Sequence, residues 1–149
     1  MSVTPEGRIV VDDGAELFGD LEGGAVLNAP VVGLTLHWTR ANGSAWLPTG
    51  YWFVGADGGV FAFGSARFLG AMAGRPMNAP VVAMVPTPSG NGYWLVGSDG
   101  GVFCFGDATF HGSGAATGRT FAGMEPTTTG RGYRLVAADG DELPYGDAS

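Results

Sequence analysis

Residues 92–106 read GYWLVGSDGGVFCFG, and residues 50–64 have already read GYWFVGADGGVFAFG. When the comparison is extended to Gly70 and Gly112, 15 of 21 aligned pairs are identical. Self-similarity at a fixed period is the signature of a repeat architecture. The prediction of the fold therefore rests on this repeat.

Each copy of the repeat has the composition of a β-hairpin. Aromatic and β-branched residues fill both halves, as they do in strands. Between the halves, aspartate and glycine supply residues that tolerate the positive φ angles of tight turns. We predict paired strands over residues 93–96 and 102–105, and over the matching residues of the earlier copy.

The hairpin ending, Phe-Gly or Tyr-Gly, occurs four times along the chain. Its glycines are spaced by 45, 42 and 40 residues and are Gly19, Gly64, Gly106 and Gly146. Between the hairpins, LNAPVVGL from Leu27, MNAPVVAM from Met77 and the weaker TFAGM from Thr120 each predict a third strand. A short fourth strand is expected around Phe68 or Phe110. Counted from the hairpin, one domain contains copies at 7–49, 50–91 and 92–131 and a partial copy at 132–149.

Both faces of the predicted strands are apolar. Phe103 and Phe105 point one way, whereas Val102 and Cys104 point the other way. A sheet that is buried on both faces must lie between neighbours. Antiparallel sheets of this size, stacked on copies of themselves, are typical of β-propellers. We expect an all-β, propeller-like stack of four hairpin units with the last one incomplete; a β-trefoil of three repeats is the alternative.

The outer copies differ from the central ones in charge. Ten of the fourteen acidic residues lie in residues 6–22 and 139–147, and Pro144 stands at the position of Cys104. Charge and proline at a sheet edge oppose further strand pairing. We expect the terminal copies to act as caps, while other open blade edges could be completed by a second chain, giving a homo-oligomer or larger assembly.

Composition and charge exclude several classes of function. The chain of 149 residues is 45% hydrophobic and 14% charged, which indicates a folded domain. Seven basic and fourteen acidic residues give a net charge of −7. Because nucleic-acid binding needs a basic surface, we do not expect nucleic acid as a partner. The single Cys104 excludes an internal disulfide, and we interpret it as a small buried apolar residue because the earlier copy has Ala62 there.

The sequence also limits where the chain acts. No apolar run is long enough to span a bilayer, and the start, MSVTPEGR, lacks the apolar stretch of a signal peptide. We expect no membrane insertion. The protein is expected to stay where it is made, in the cytoplasm or in a virion, or to be a fragment of a longer secreted or cell-surface protein.

Motifs for metal binding and catalysis are missing from the sequence. The four Asp-Gly pairs lack the alternating oxygen ligands and distal glutamate of a calcium loop, and we interpret them as hairpin turns. His37 and His111 do not have the spacing of a metal pair. No GxSxG or comparable nucleophile motif occurs. The chain is therefore expected to be non-catalytic, with no metal and no cofactor.

The first repeat carries about eight additional residues within LTLHWTRANGSAWLPTG, residues 34–50. Function is often placed on loops that depart from a scaffold, tryptophan and arginine are enriched in interface hot spots, and flat aromatic faces suit sugar rings. The candidate contact residues are His37, Trp38, Arg40 and Trp46. The alternative is structural, with the insert folding its tryptophans onto an open edge. Trp52 and Trp94, in the repeat itself, are expected to pack between blades.

The motif GYWLVGSDGGVFCFGDA, together with the segment NAPVVAM that lies between the two central hairpins, resembles a tandem repeat found in proteins of high-GC Gram-positive bacteria. The resemblance is specific over residues 50–112 and weaker in the outer copies. It implies secreted or envelope-associated proteins, in which such arrays stand beside hydrolase or peptidase domains as non-catalytic binding or adhesive regions. It carries over no ligand residues. A capped copy without a signal peptide would also suit a bacteriophage virion.

Two functions are therefore expected. The first is a non-catalytic binding module that recognises a cell-envelope glycan or a surface protein partner. The second is a structural or assembly subunit of a phage virion, such as a capsid decoration or a tail protein.

Overall fold

The computed structural model describes residues 2–3, 9–10, 29–41 and 45–148. These residues contain eleven strands, a single-turn 3-10 helix at Ala115–Thr117 and no α-helix, so the all-β prediction is confirmed. The strands are β1 (Ser2–Val3), β2 (Ile9–Val10), β3 (Val31–Ala41), β4 (Ala45–Gly55), β5 (Val60–Gly64), β6 (Val81–Pro86), β7 (Gly92–Gly97), β8 (Val102–Gly106), β9 (Phe121–Pro126), β10 (Gly132–Ala137) and β11 (Glu142–Gly146).

Three antiparallel three-stranded sheets make up the described core. Sheet 1 has the order β3-β4-β5, sheet 2 the order β6-β7-β8 and sheet 3 the order β9-β10-β11, while β1 and β2 form a separate pair. Each connecting strand thus pairs with the hairpin that follows it. The last hairpin, which the sequence predicted to be an incomplete unit, therefore belongs to a sheet of the same size as the others. The predicted first hairpin, around Phe18-Gly19, lies outside the described residues.

The predicted fourth strand around Phe68 or Phe110 is wrong. Neither residue belongs to a strand, because side chains of the sheets take the hydrogen bonds that a strand ladder would need. The indole Nε1 of Trp52 donates to the carbonyl of Arg67 at 2.7 Å. The hydroxyl of Tyr93 accepts from the amide of Leu69 at 2.9 Å and donates to the carbonyl of Gly70 at 2.6 Å.

The sheets stack face to face, as the two apolar faces of the repeat predicted. In each sheet one face, the tyrosine face, carries Tyr51, Tyr93 or Tyr133, and the opposite face, the tryptophan face, carries Trp52, Trp94 or Arg134. The tryptophan face of sheet 1 packs on the tyrosine face of sheet 2, and the same pairing joins sheets 2 and 3. All six residues of the central strand β7 are buried. Among the described residues the stack does not close into a ring, so closure into a propeller stays a prediction.

The predicted edge proline lies where an edge strand ends the sheet. Pro144 is exposed in β11, which pairs with β10 alone among the described strands. Arg134 occupies the tryptophan position of sheet 3, and its Nη2 donates to the carbonyl of Ala148 at 2.9 Å, as the indoles do in the other sheets. The exposed, charged tryptophan face of sheet 3 agrees with a terminal cap.

The tyrosine clamps between sheets give a testable stability prediction. Tyr93→Phe is expected to lower the free energy of unfolding by about 1–3 kcal/mol, because it leaves the amide of Leu69 and the carbonyl of Gly70 without this partner. Chemical denaturation measures the loss. Tyr145→Phe is the matched control, since its hydroxyl makes a single, longer bond to the carbonyl of Ser113 at 3.1 Å. Equal losses in both variants would contradict the clamp.

Candidate functional site

The two ends of the stacked sheets carry different connections. At one end, the turn end, the Asp-Gly turns join the second and third strands, and their aspartates bond the backbone two residues on: Asp57 to Gly59, Asp99 to Gly101 and Asp139 to Asp141. These three turns confirm the hairpin interpretation, whereas Asp13-Gly14 lies outside the described residues. Within the described ranges no group of three or more histidine, cysteine or acidic residues could hold a metal.

The opposite end, the loop end, carries the insert. Here β3 and β4 are 11 residues long, whereas β6 and β7 have 6 each, so the insert lengthens both strands of one hairpin. In sheets 2 and 3 the corresponding connections are the short loops 87–91 and 127–131. Arg40 pairs with Trp46 in the backbone ladder of the hairpin. The side chains of these two candidates lie outside the described residues.

His37 and Trp38 are consecutive residues of β3, and a bulge lies between them. The β3–β4 register shifts between these two residues, and such a bulge re-aims the side chains beside it. Trp38 is 48% exposed. His37 contacts the edge of the Trp52 ring at 5.2 Å between centroids, and its Nδ1 hydrogen-bonds the hydroxyl of Ser65 at 2.7 Å.

Both residues line a groove between the insert and sheet 2, which we name the Trp38 groove. Its described lining residues are Leu36, His37, Trp38, Pro86, Thr87, Pro88 and Gly90, around a cavity volume of about 260 Å³. Partial burial lowers the pKa of His37, which favours the neutral imidazole. No charged side chain is among these described lining residues. The groove offers an aromatic face, prolines and a neutral hydrogen-bonding ring.

The second wall of the groove is the loop of sheet 2 that contains Gly90, and its backbone lies close to His37. A Cβ at Gly90 would lie 2.9 Å from Nε2 of His37, and Gly90 has φ +76°, so a larger residue would be strained and would displace the imidazole. The next loop repeats the arrangement, since a Cβ at Gly130 would lie 3.2 Å from Cδ of Pro88. The loop ends of the three sheets therefore lie side by side and form one surface.

Polar clusters fix these loops. The hydroxyls of Thr87 and Ser89 donate to Asp107, the first at 2.7 Å. In sheet 3, Thr127 and Thr129 donate to Asp147 in the same way, and these hydrogen bonds lower the pKa of Asp147. In sheet 1 the carboxylate position is Ser65, whose partners are His37 and Thr49. His37 thus takes part in the local contact that replaces the repeated carboxylate cluster.

The sequence anticipated one wall of the groove and missed the other. His37 and Trp38 are candidates because they lie in the insert, whereas nothing in the sequence singles out the proline loop of sheet 2. The substitution of Ser65 for the aspartate of the second copy was the available signal that the loop contacts differ in sheet 1. Trp52 and Trp94 are fully buried, as predicted.

The remaining singled-out residues have local structural partners. His111 hydrogen-bonds the hydroxyl of Thr109 through Nε2 at 2.7 Å and lies edge-on to Tyr133. Cys104 is half-buried, and this burial raises the pKa of its thiol. A raised pKa reduces the thiolate fraction and with it the nucleophilicity of the cysteine. Both residues therefore serve the repeat scaffold.

In the part of the chain that the structure describes, no helix has the length and apolar character to cross a membrane. The Trp38 groove holds His37 and Trp38, the two candidate contact residues whose side chains the structure describes. Comparison of the chain with protein-family models, with curated proteins and with solved structures finds no match.

Proposed function

We propose that the chain is a non-catalytic binding module that recognises a cell-envelope glycan through the Trp38 groove, with a surface protein partner as the alternative occupant. The observation that carries the proposal is the 48% exposure of Trp38 on an insert that interrupts an otherwise regular repeat. Folding gains little from a tryptophan that remains half exposed, since the hydrophobic contribution scales with the area removed from water.

The chemistry of the groove favours a neutral glycan. A flat indole face suits the apolar face of a sugar ring, and the ring nitrogens of His37 can exchange hydrogen bonds with sugar hydroxyls. The loop carboxylates Asp107 and Asp147, which accept hydrogen bonds from Thr87 and Thr127, and the net charge of −7 oppose a polyanionic ligand. The described walls of the groove also lack a cation that would pair with an anionic sugar.

Trp38→Ala is expected to weaken binding to cell-wall glycan by about 30-fold or more, since central aromatic contacts contribute about 2 kcal/mol or more to such interfaces. The probe is insoluble cell-wall material from a high-GC Gram-positive bacterium, in a co-sedimentation titration. Trp38→Tyr is expected to retain part of the affinity. Thr128→Ala, at an exposed position of a neighbouring loop, is the matched control.

Intrinsic fluorescence provides a second readout. Trp52 and Trp94 are fully buried, so a change in emission on adding glycan fragments should come from the insert and should diminish in Trp38→Phe. Unchanged binding by a Trp38→Ala, Trp46→Ala double variant would overturn the proposal. Loss of wall binding in Thr128→Ala to the same extent would also count against the groove as the contact.

The second candidate function is a structural or assembly subunit, for instance of a phage virion. A specific observation favours it: the edge strands β5 and β8 each pair with one strand only within the described sheets, and neither contains a charged residue or a proline. Such edges are templates for pairing with another chain.

A further inference from the structure

The outer edge strands of sheets 1 and 2 are less buried than the middle strand of sheet 2. All residues of β7 are buried, but those of its neighbour β8 are half-buried or, at Gly106, exposed. In β5 the pattern is similar, with only Val60 buried. Because β5 and β8 end their sheets among the described strands, half of their backbone N–H and C=O groups point away from the ladder.

Of the three outer edges, formed by β5, β8 and β11, only that of β11 carries residues that oppose strand pairing. The edge strand β11 reads ELPYG and carries Glu142 and Pro144, whereas β5 reads VFAFG and β8 reads VFCFG. Charge and proline are the usual means by which proteins block edge pairing. The three edges stand at equivalent positions, so their difference is a property of the sequence and not of the architecture.

Pro144 also identifies which backbone groups face the open edge. It pairs with Arg134 in register, as Cys104 pairs with Trp94 and Ala62 with Trp52. Pro144 has no N–H and still keeps its place in the ladder. At this position the N–H is therefore not needed for the hydrogen bonds to the middle strand. The N–H groups of Ala62 and Cys104 therefore point away from the middle strand, and no described strand pairs with them.

An exposed phenylalanine stands beside each unprotected edge. Phe68 and Phe110 are each 60% exposed. Phe68 lines a groove of about 510 Å³ with Val60 and Phe61 of β5, and Phe110 lines one of about 370 Å³ with Val102 and Phe103 of β8. The two grooves are related by the repeat and lie against the start of each edge strand.

These phenylalanines are identical in both copies although most of each side chain is exposed. Between residues 64–70 and 106–112, three of seven positions differ, including both neighbours of the phenylalanine. Ala66 and Gly70 have packing reasons to stay, since Ala66 is buried and Gly70 lies against the Phe105 ring. A large apolar side chain retained at 60% exposure indicates a surface that something else covers.

We propose that β5 and β8, with Phe68 and Phe110, are docking edges for a second copy of this chain, whose own β5 or β8 adds as an antiparallel fourth strand. The two edge sequences differ at one position, so a strand that fits one edge fits the other. In an antiparallel pairing that uses these outward-facing backbone groups, the phenylalanines of one VFxFG segment lie opposite those of the other, and aromatic cross-strand pairs stabilise sheets. Neither segment brings a charge into the pairing. The inference deepens the assembly-subunit candidate and does not depend on glycan binding.

Pairing through two edges predicts a specific set of masses. Wild-type chains should form dimers and larger species as concentration rises, since each carries two docking edges. Cys104→Pro or Ala62→Pro alone should stop association at the dimer, and the double variant should remain at the monomer mass of 15.2 kDa. Light scattering after size-exclusion chromatography measures the mass of each variant.

Higher salt should strengthen association, because it screens repulsion between chains of net charge −7.

The repeat supplies matched controls. Cys104→Ala introduces the residue that sheet 1 has at this position and keeps the N–H, so it should associate like wild type. Phe68→Ser with Phe110→Ser should weaken association without changing the edge backbone. Hydrogen exchange at the amides of Ala62 and Cys104 should slow as concentration rises.

A wild-type chain that stays monomeric at all concentrations and salt levels would overturn the inference. So would a double proline variant that folds, as far-ultraviolet circular dichroism would show, and still associates like wild type. Neither result bears on wall binding, which the Trp38 variants test separately at the other end of the sheets.

Discussion

Trp94→Ala is expected to lower the free energy of unfolding by about 3–5 kcal/mol, the range for truncating a large aromatic side chain in a core. Trp94 is fully buried between sheets 2 and 3, where its ring meets the edge of Tyr133 at 5.6 Å between centroids. Its indole Nε1 also donates to the carbonyl of Thr109 at 2.8 Å. The substitution removes the packing and the hydrogen bond together and leaves a cavity at the centre of the sheet interface.

The chain contains its own controls for this prediction. Trp38→Ala removes the same side chain from a half-exposed position, where surface substitutions change stability by about 0.5 kcal/mol or less. Trp94→Arg introduces the residue that sheet 3 carries at the equivalent position. In sheet 2 the guanidinium would be buried under a neighbouring sheet, so this variant should be at least as unstable as Trp94→Ala. Urea denaturation that gave equal stabilities for Trp94→Ala and Trp38→Ala would contradict the face-to-face stack.

Gly112→Ala is expected to cost about 2–4 kcal/mol of unfolding free energy, from backbone strain together with overpacking. Gly112 has φ +139°, a conformation that residues with a side chain rarely adopt, and a Cβ there would overlap the ring of Tyr145. Gly70 stands at the same place in the preceding repeat, with φ +136° and its Cβ position against Phe105. We therefore expect Gly70→Ala to have a similar effect.

Two other glycines separate the strain from the clash. Gly118 has φ +70° but no atom within 4 Å of its Cβ position, so Gly118→Ala tests the left-handed backbone alone, at about 1–2 kcal/mol. Gly123 has an ordinary φ and equally open space, and alanine there should be close to neutral. A series in which Gly112→Ala costs no more than Gly118→Ala would show that Gly112 does not lie against the Tyr145 ring.

Much of the local structure could be predicted from the sequence because the signals are local. The paired aromatic halves and the Asp-Gly turns define the hairpins, and the turn aspartates bond within two residues of themselves. The apolar character of both strand faces predicted the stacking, since such a sheet has no face that tolerates water. The insert pointed to His37 and Trp38 because it is the place where the repeat is interrupted.

Only the tertiary structure decided how the third strands pair and why no fourth strand forms. A segment such as 121–126 lies between two hairpins, and its sequence does not indicate with which of them it pairs. In the structure the short loop 127–131 lets it pair with the hairpin that follows. Side chains of two sheets take the backbone hydrogen bonds of residues 67–70, and nothing in the composition of that segment indicates this.

The sequence by itself thus determined the hairpins, their turns, their double-sided burial and one wall of the candidate site. The tertiary structure decided the other wall, Pro86 to Gly90, which belongs to a different sheet about fifty residues away in the chain. Stacking brings the loop ends of neighbouring sheets together, and a groove between two sheets depends on that contact. Hairpin patterns report the contacts within a sheet, whereas the distance between sheets is set by the side chains packed in the space they share.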